Sequence, residues 1–375
     1  MLKVNVFNGP RDSFEDYIKE LDGFVTLTEV VEISDRIHQA NLHVNRKDYE
    51  ELSNRGSIVL ESDQLVCFSE EFNGINESLI LNFFRHLNKY NLANIYLQNP
   101  PQKVLDQMKT REIEVITDSY EYKTVTKEQI KRINYNIENI IIGQPGIKTE
   151  LLTNLMLLLN KDRNKPVTLL FYGPTGVGKT ETARYLAKEI GQELFRQQLS
   201  MYQNNNAHEY LYGGKVGKPS LAYELINRRS NVVLLDEFGL LQPHFYSAFY
   251  ELFDEGIFSD NVYKVKMFNS IIICTSNFKD LEDIKKSISP PMYSRFDGFI
   301  KFTQINQEEM KIIINKKVEN SFQEQPVENQ KKIDKEKVKR ILYEDIENVE
   351  NVRDANRKID KLIQYQLLND LLEND

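Results

Sequence analysis

The sequence has no tryptophan, two cysteines and five histidines in 375 residues. Cys67 and Cys274 are too few for a disulfide framework, and their scarcity predicts a reducing compartment. His38, His43 and His86 are scattered without ligand spacing, and no cysteine pair accompanies them, so a zinc site is not expected. Long apolar runs are also missing. The richest, Leu151 to Leu159, is broken by Thr153 and Asn154 and falls well short of the roughly 18 residues of a membrane span. Met1 to Val6 moves straight into strand-like alternation with no signal-peptide core, which predicts a cytoplasmic protein without a membrane partner. A basic surplus is lacking too. The formal net charge is −8 and resides in residues 1–130, while the remainder is balanced. The one basic run, Lys331 to Arg340, is followed by Glu344, Asp345, Glu347 and Glu350. It reads as a solvated helix face, which disfavours a general nucleic-acid binder.

What remains is an ordinary globular composition, 41% hydrophobic and 28% charged, in a chain long enough for two or three domains. Residues 1–130 mix alternating segments (Leu2 to Phe7, Ser57 to Leu60, Ala93 to Leu97) with helical periodicity (Phe14 to Leu21, Leu79 to Leu87). The expectation there is an N-terminal α+β domain, with a break at Asn99-Pro100-Pro101. From about residue 131 the pattern changes. Val167 to Tyr172 is apolar and β-branched with Pro166 just outside it, as in a buried parallel strand. Further strands are expected near Leu194 to Leu199, at Val232 to Leu235 and at Ser270 to Cys274, each separated from the next by a helical stretch. That alternation predicts an α/β domain with a doubly wound parallel sheet.

Gly173-Pro174-Thr175-Gly176-Val177-Gly178-Lys179-Thr180 fits the phosphate-loop pattern G-x-x-x-x-G-K-[ST] at every fixed position, between an expected strand and an expected helix. The glycines let backbone N–H groups turn inward around phosphate oxygens, and the helix that follows offers its positive end. Lys179 would reach the β- and γ-phosphates of ATP, and the Thr180 hydroxyl would ligate Mg²⁺. Val232 to Glu237 is an apolar strand ending in two acids: Asp236 would hold Mg²⁺ through water, and Glu237 would polarise the attacking water as general base. Ile271 to Asn277 ends in polar residues in the same way, and Asn277 could bridge the γ-phosphate and that water. Cys274, flanked by apolar residues, reads as a small buried hydrophobe.

With these three segments in order, residues about 135–375 resemble an AAA+ ATPase, specifically the second ATPase module of Clp-type (ClpB, ClpA) ring unfoldases. Ile142-Gly143-Gln144 is similar to that family's adenine-pocket box, and Asp254 to Asp260 to its turn before the sensor strand. Tyr293-Ser294-Arg295-Phe296-Asp297 looks like the segment carrying the arginine finger, and Asn351 to Arg357 like the lid motif, with Arg353 as sensor arginine. The resemblance implies an α/β phosphate-loop domain over 131–304 and a C-terminal helical lid over 305–375. It also implies nucleotide contacts from Ile142 to Gln144, from the whole loop through Glu181, and from Arg353. The catalytic set would be Lys179, Glu237, Asn277, Arg295 and Arg353, with Arg295 reaching a neighbouring subunit's ATP in a homo-oligomeric, hexameric ring.

The sequence also departs from the family. Where a pore loop reads G-Y-V-G, this chain has Leu211-Tyr212-Gly213-Gly214-Lys215-Val216-Gly217-Lys218. Lys215 falls at the aromatic's place, and lysine favours anionic surfaces where an aromatic grips any polypeptide. Gly239 to Gln242 replaces the family's E-K-A-H, and no I-G-[FL] tripeptide follows Asn277, which disfavours a Clp-type peptidase partner. The family's last small strands are not expected, and one ATPase module is expected, not two. The expected function is ATP-driven remodelling of a protein client, with residues 1–130 recognising a partner. Lys215, Lys218 and the 331–340 run leave open a nucleic-acid motor or loader, and an ATP-gated switch that recruits an effector also fits.

Overall fold

The computed structural model describes residues 2–43, 60–111, 113–160, 162–202 and 206–373. The alternating segment expected at Ser57 to Leu60 lies, Leu60 apart, outside them. Two compact units emerge. The first comprises 1–122 with the segments 202–231 and 247–268; the second comprises 123–201, 232–246 and 269–375.

In the first unit, β1 (Lys3–Asn8), β2 (Val25–Thr26), β3 (Gln64–Cys67), β4 (Asn94–Gln98) and β5 (Val115–Ser119) form one sheet in the order β2-β3-β4-β1-β5. Every pairing is parallel. This corrects the α+β expectation for residues 1–130. Parallel strands need a crossover between them, and the helices Arg11–Ile18, Leu27–His43 and Gln102–Thr110 supply it. The α/β pattern is faint in the sequence because β2 has two residues and β5 is exposed along its whole length. Val4, Val6, Leu65, Cys67, Ile95 and Leu97 build a core with Phe72, Phe83 and Phe84.

The second unit holds β6 (Val167–Tyr172), β7 (Phe195–Gln198) and β8 (Val232–Asp236). A short hairpin of β9 (Ile257–Ser259) and β10 (Lys264–Lys266) belongs to the first unit. Then β11 (Ile271–Thr275) and β12 (Gly298–Lys301) complete the second sheet, in the order β12-β6-β11-β8-β7 and parallel throughout. β6, β8 and β11 are buried at every residue, which is why they read as continuous apolar runs. Helices Lys127–Ile140, Ile147–Met156 and Lys179–Ile190 cover the sheet; Thr126 and Gln129 close the first of them with a reciprocal capping box. Beyond β12, helices Gln307–Gln323, Lys335–Glu344 and Val352–Glu373 share a core of Met310, Ile314, Val318, Val338, Leu342, Ala355, Ile359 and Ile363. Among the described residues, no helix is long and apolar enough to cross a membrane.

Candidate active site

β6, β11 and β8 are neighbours in a parallel sheet, so their carboxyl ends share one edge. Three segments meet there: the loop Gly173–Gly178 leading into the helix at Lys179, the Asp236–Glu237 pair, and Thr275 to Asn277. In open α/β sheets the carboxyl edge is where ligands bind.

The loop owes its shape to glycine. Gly173, Gly176 and Gly178 have φ of +130°, +71° and +105°. A Cβ on Gly173 would fall 2.2 Å from the Phe302 carbonyl oxygen, and one on Gly176 2.8 Å from the Asn351 side chain. No other residue fits either place without moving backbone or the last helix. Pro174 and Thr175 are exposed, Val177 is buried, and the Thr182 hydroxyl donates to the Gly178 carbonyl at 2.9 Å. Glu181 is exposed in the helix's first turn, next to the half-buried Thr180.

Lys179 is 9% exposed, and its ammonium donates to the carbonyls of Gly173 (2.6 Å) and Pro174 (2.7 Å) and to Asn277 Oδ1 (3.3 Å). Burial lowers its pKa to about 8, against a partial opposing pull from Asp236. Asp236 is buried at the strand end. Its Oδ1 accepts from the Thr275 hydroxyl at 2.5 Å, and its Oδ2 accepts from Arg196 Nε (3.0 Å) and Nη2 (2.6 Å). Glu237 adopts left-handed backbone, φ +58°, a strained state for a residue with a side chain. Its N–H donates to the Thr275 hydroxyl oxygen at 2.8 Å, and its Oε2 accepts from Gln198 Nε2 at 3.0 Å.

Arg196, Gln198 and Thr275 are the residues that sequence reasoning missed. β7 alternates half-buried and exposed positions and carries mostly polar side chains, so nothing in its pattern distinguishes a solvated edge from one turned toward acids. Thr275 stood inside a noted strand, but only the register of β11 beside β8 reveals it as the bridge between Asp236 and Glu237.

Around the loop, Gln144 is buried and stitches two segments together. Its amide donates to the Thr303 carbonyl at 2.8 Å and to the Val177 carbonyl at 3.4 Å, while its oxygen accepts from the Thr303 N–H at 2.8 Å. Gly143 (φ +77°) packs against Ile305 and Glu309, and Ile142 is half-buried beside it. The last helix reaches the loop directly: the Val352 N–H donates to the Gly176 carbonyl at 3.2 Å, and Asn351 caps that helix through the Asp354 N–H at 3.0 Å. Arg353, one residue further, is exposed.

Arg295 is not part of this cluster. Its carbonyl accepts from the Thr168 hydroxyl, and Asp297 beside it is held by Arg163 and by the Thr168 N–H at 2.9 Å. Thr168 lies near the amino end of β6, four residues before the loop begins its turn at Tyr172, which at the rise of a strand is roughly 13 Å. The arginine is therefore anchored at the opposite end of the strand from its own phosphate loop.

The donor set suits magnesium-bound ATP. Three glycines at positive φ shape the loop around a buried ammonium, and Thr180 offers a hydroxyl. A carboxylate has about four acceptor sites; Arg196 and Thr275 use three on Asp236, which leaves one on Oδ1 for a metal-bound water.

The fold and this edge are those of a phosphate-loop domain. Residues 164–326 match the family model of the AAA domain (Cdc48 subfamily). The chain is similar to Clp-type ATPases and resembles the second module of those proteins. It is 30% identical over 215 residues to ClpL, the ATP-binding subunit of an ATP-dependent Clp protease from Staphylococcus aureus (strain bovine RF122 / ET3-1), across 50% of this chain and 30% of that protein. It is 29% identical over 283 residues to the chaperone protein ClpB of Malacoplasma penetrans (strain HF-2), across 68% of this chain and 40% of that one. The fold is similar to that of S. cerevisiae Hsp104 in its ADP complex, with a TM-score of 0.53 at 19% identity, covering 65% of this chain and 48% of the other. The chain thus spans less than half the length of these relatives.

Proposed function

We propose that the protein is a Mg²⁺-dependent ATPase that assembles into a ring and couples hydrolysis to remodelling of a protein client. The observation that carries this reading is the convergence of Lys179, Asp236, Glu237 and Asn277 at the carboxyl ends of three adjacent strands. Thr180 and Asp236 would hold a magnesium ion, which would supply positive charge against the phosphates. Lys179 exchanges the Gly173 and Pro174 carbonyls for phosphate oxygens. Glu237, fixed by its strained backbone and by Gln198, accepts the proton of the attacking water, and Asn277 orients that water. Arg353 approaches through the docking of Asn351 and Val352 on Gly176, so that the helical region senses the nucleotide.

Arg295 serves a neighbouring subunit, because its anchor at the far end of β6 keeps it from its own loop. A hexamer is the expected closed assembly, by resemblance to the Clp-type relatives, and a Clp-type peptidase is not an expected partner. Stimulation of ATP turnover separates the client classes. Unfolded casein should raise the rate and double-stranded DNA should not; the reverse outcome would replace the protein-remodelling reading with a nucleic-acid motor.

A further inference from the structure

Within the first unit, every major strand of the parallel sheet sends the loop at its carboxyl end onto the segments 202–231 and 247–268. After β1, Asp12 pairs with Arg229 at 3.2 Å. After β3, the Asn73 carbonyl lies so close to Gly217 that a Cβ there would sit 2.9 Å from it. After β4, Asn99 donates its amide to Asn227 Oδ1 at 2.8 Å, and the Gln102 N–H donates to the Val262 carbonyl at 2.7 Å. After β5, Tyr122 donates its hydroxyl to the Arg228 carbonyl at 3.1 Å and lies under the Arg228 guanidinium, 4.0 Å from its ring centre. Asn99 is wholly buried with φ +46°, and the Gly9 backbone holds its amide on both sides. A strained, buried asparagine aimed at a partner is a built contact.

The same face takes up the loop that follows Tyr212. Val216 packs against the apolar core of the first sheet. Lys215 lines a cavity of about 380 Å³ with Glu77, Lys103 and Val262, and its charge helps to hold the Glu77 carboxyl below the usual range, after the larger effect of Lys103. Glu77, which pairs with Lys103 at 2.9 Å, is the carboxylate that shares this cavity with Lys215.

We propose that residues 1–122 are an internal partner of the loop Gly213–Lys218, with Lys215 and Val216 as the recognition residues, and that this docking withholds the loop from an unfolded polypeptide. The consequence for a polypeptide rests on the function proposed above; the docking does not. The test uses the full chain without nucleotide, following amide exchange over 213–218 and the binding of fluorescein-labelled casein. Val216→Asp should speed loop exchange by about tenfold or more, as expected when a packed segment opens locally. It should tighten casein binding by a similar order. Arg229→Asp, at an exposed ion pair that folding tolerates, should move both readouts the same way to a smaller extent, and adding Asp12→Arg should reverse it. Wild-type loop amides that exchange as fast as a free peptide would overturn the proposal. So would a freed loop with unaltered casein affinity. Neither readout needs hydrolysis, so a chain that failed to turn over ATP would sink the ATPase reading and leave this one standing.

Discussion

Lys179 carries an electrostatic cost before any nucleotide arrives. Buried over two carbonyls, its ammonium has a pKa near 8, so at neutral pH it is charged and ready for phosphate. Phosphate oxygens favour the charged form and raise the pKa on binding. Below pH 8 no proton need be taken up; above it, binding must add one, and affinity should fall by up to about tenfold per pH unit. Titration of ATP between pH 7 and 9.5 measures this, and Lys179→Met should bind weakly with no such slope. Glu237 is the complementary case. Its left-handed backbone and its bonds to Thr275 and Gln198 hold the carboxylate in one place. Glu237→Gln keeps the shape and removes the base, so ATP binding should survive while turnover falls by about 10²–10⁴. Undiminished turnover would remove Glu237 from that role.

At the scale of elements, the site depends on close approach between segments distant in sequence. Gly173 faces the Phe302 carbonyl, and Gly176 faces Asn351. Gly173→Ala should therefore cost about 1–3 kcal/mol of stability from backbone strain alone, and a larger share of nucleotide affinity, read from thermal unfolding with and without ATP. The loop and the buried strands β6, β8 and β11 were legible in the sequence because burial on both faces leaves uninterrupted apolar runs and glycine marks the turn. Less visible was the role of β7. Arg196 and Gln198 look like solvent-facing residues until β7 is laid beside β8, where they meet Asp236 and Glu237. The first sheet was misread for a related reason. β5 buries nothing and β2 is two residues long, so the parallel order exists only in three dimensions. Lys215 was legible as an oddity, but Glu77 and Lys103, which line the same cavity, lie more than a hundred positions earlier, beyond any local pattern.

For the whole molecule, the proposed function turns on Arg295, whose anchor lies at the far end of β6 from the phosphate loop. Arg295 is tied to Thr168 at the amino end of β6, and Arg163 and Asp297 fix the segment that carries it. A site completed from a neighbour makes hydrolysis a property of the assembly, and an arginine supplied in trans is worth roughly 10³–10⁵ in rate in other phosphate-loop enzymes. The proposed head-to-tail contact would give a ring where its rotation closes. Arg295→Ala should bind ATP normally and hydrolyse it poorly, while Glu237→Gln fails for a different reason on the other side of the same interface. The most direct measurement is ATP turnover in mixtures of these two inactive proteins. In an equal mixture about a quarter of the head-to-tail interfaces join an intact Glu237 to an intact Arg295, so activity should reappear and peak near equal proportions. Two proteins that stay inactive at every ratio, although shown to co-assemble, would contradict the account.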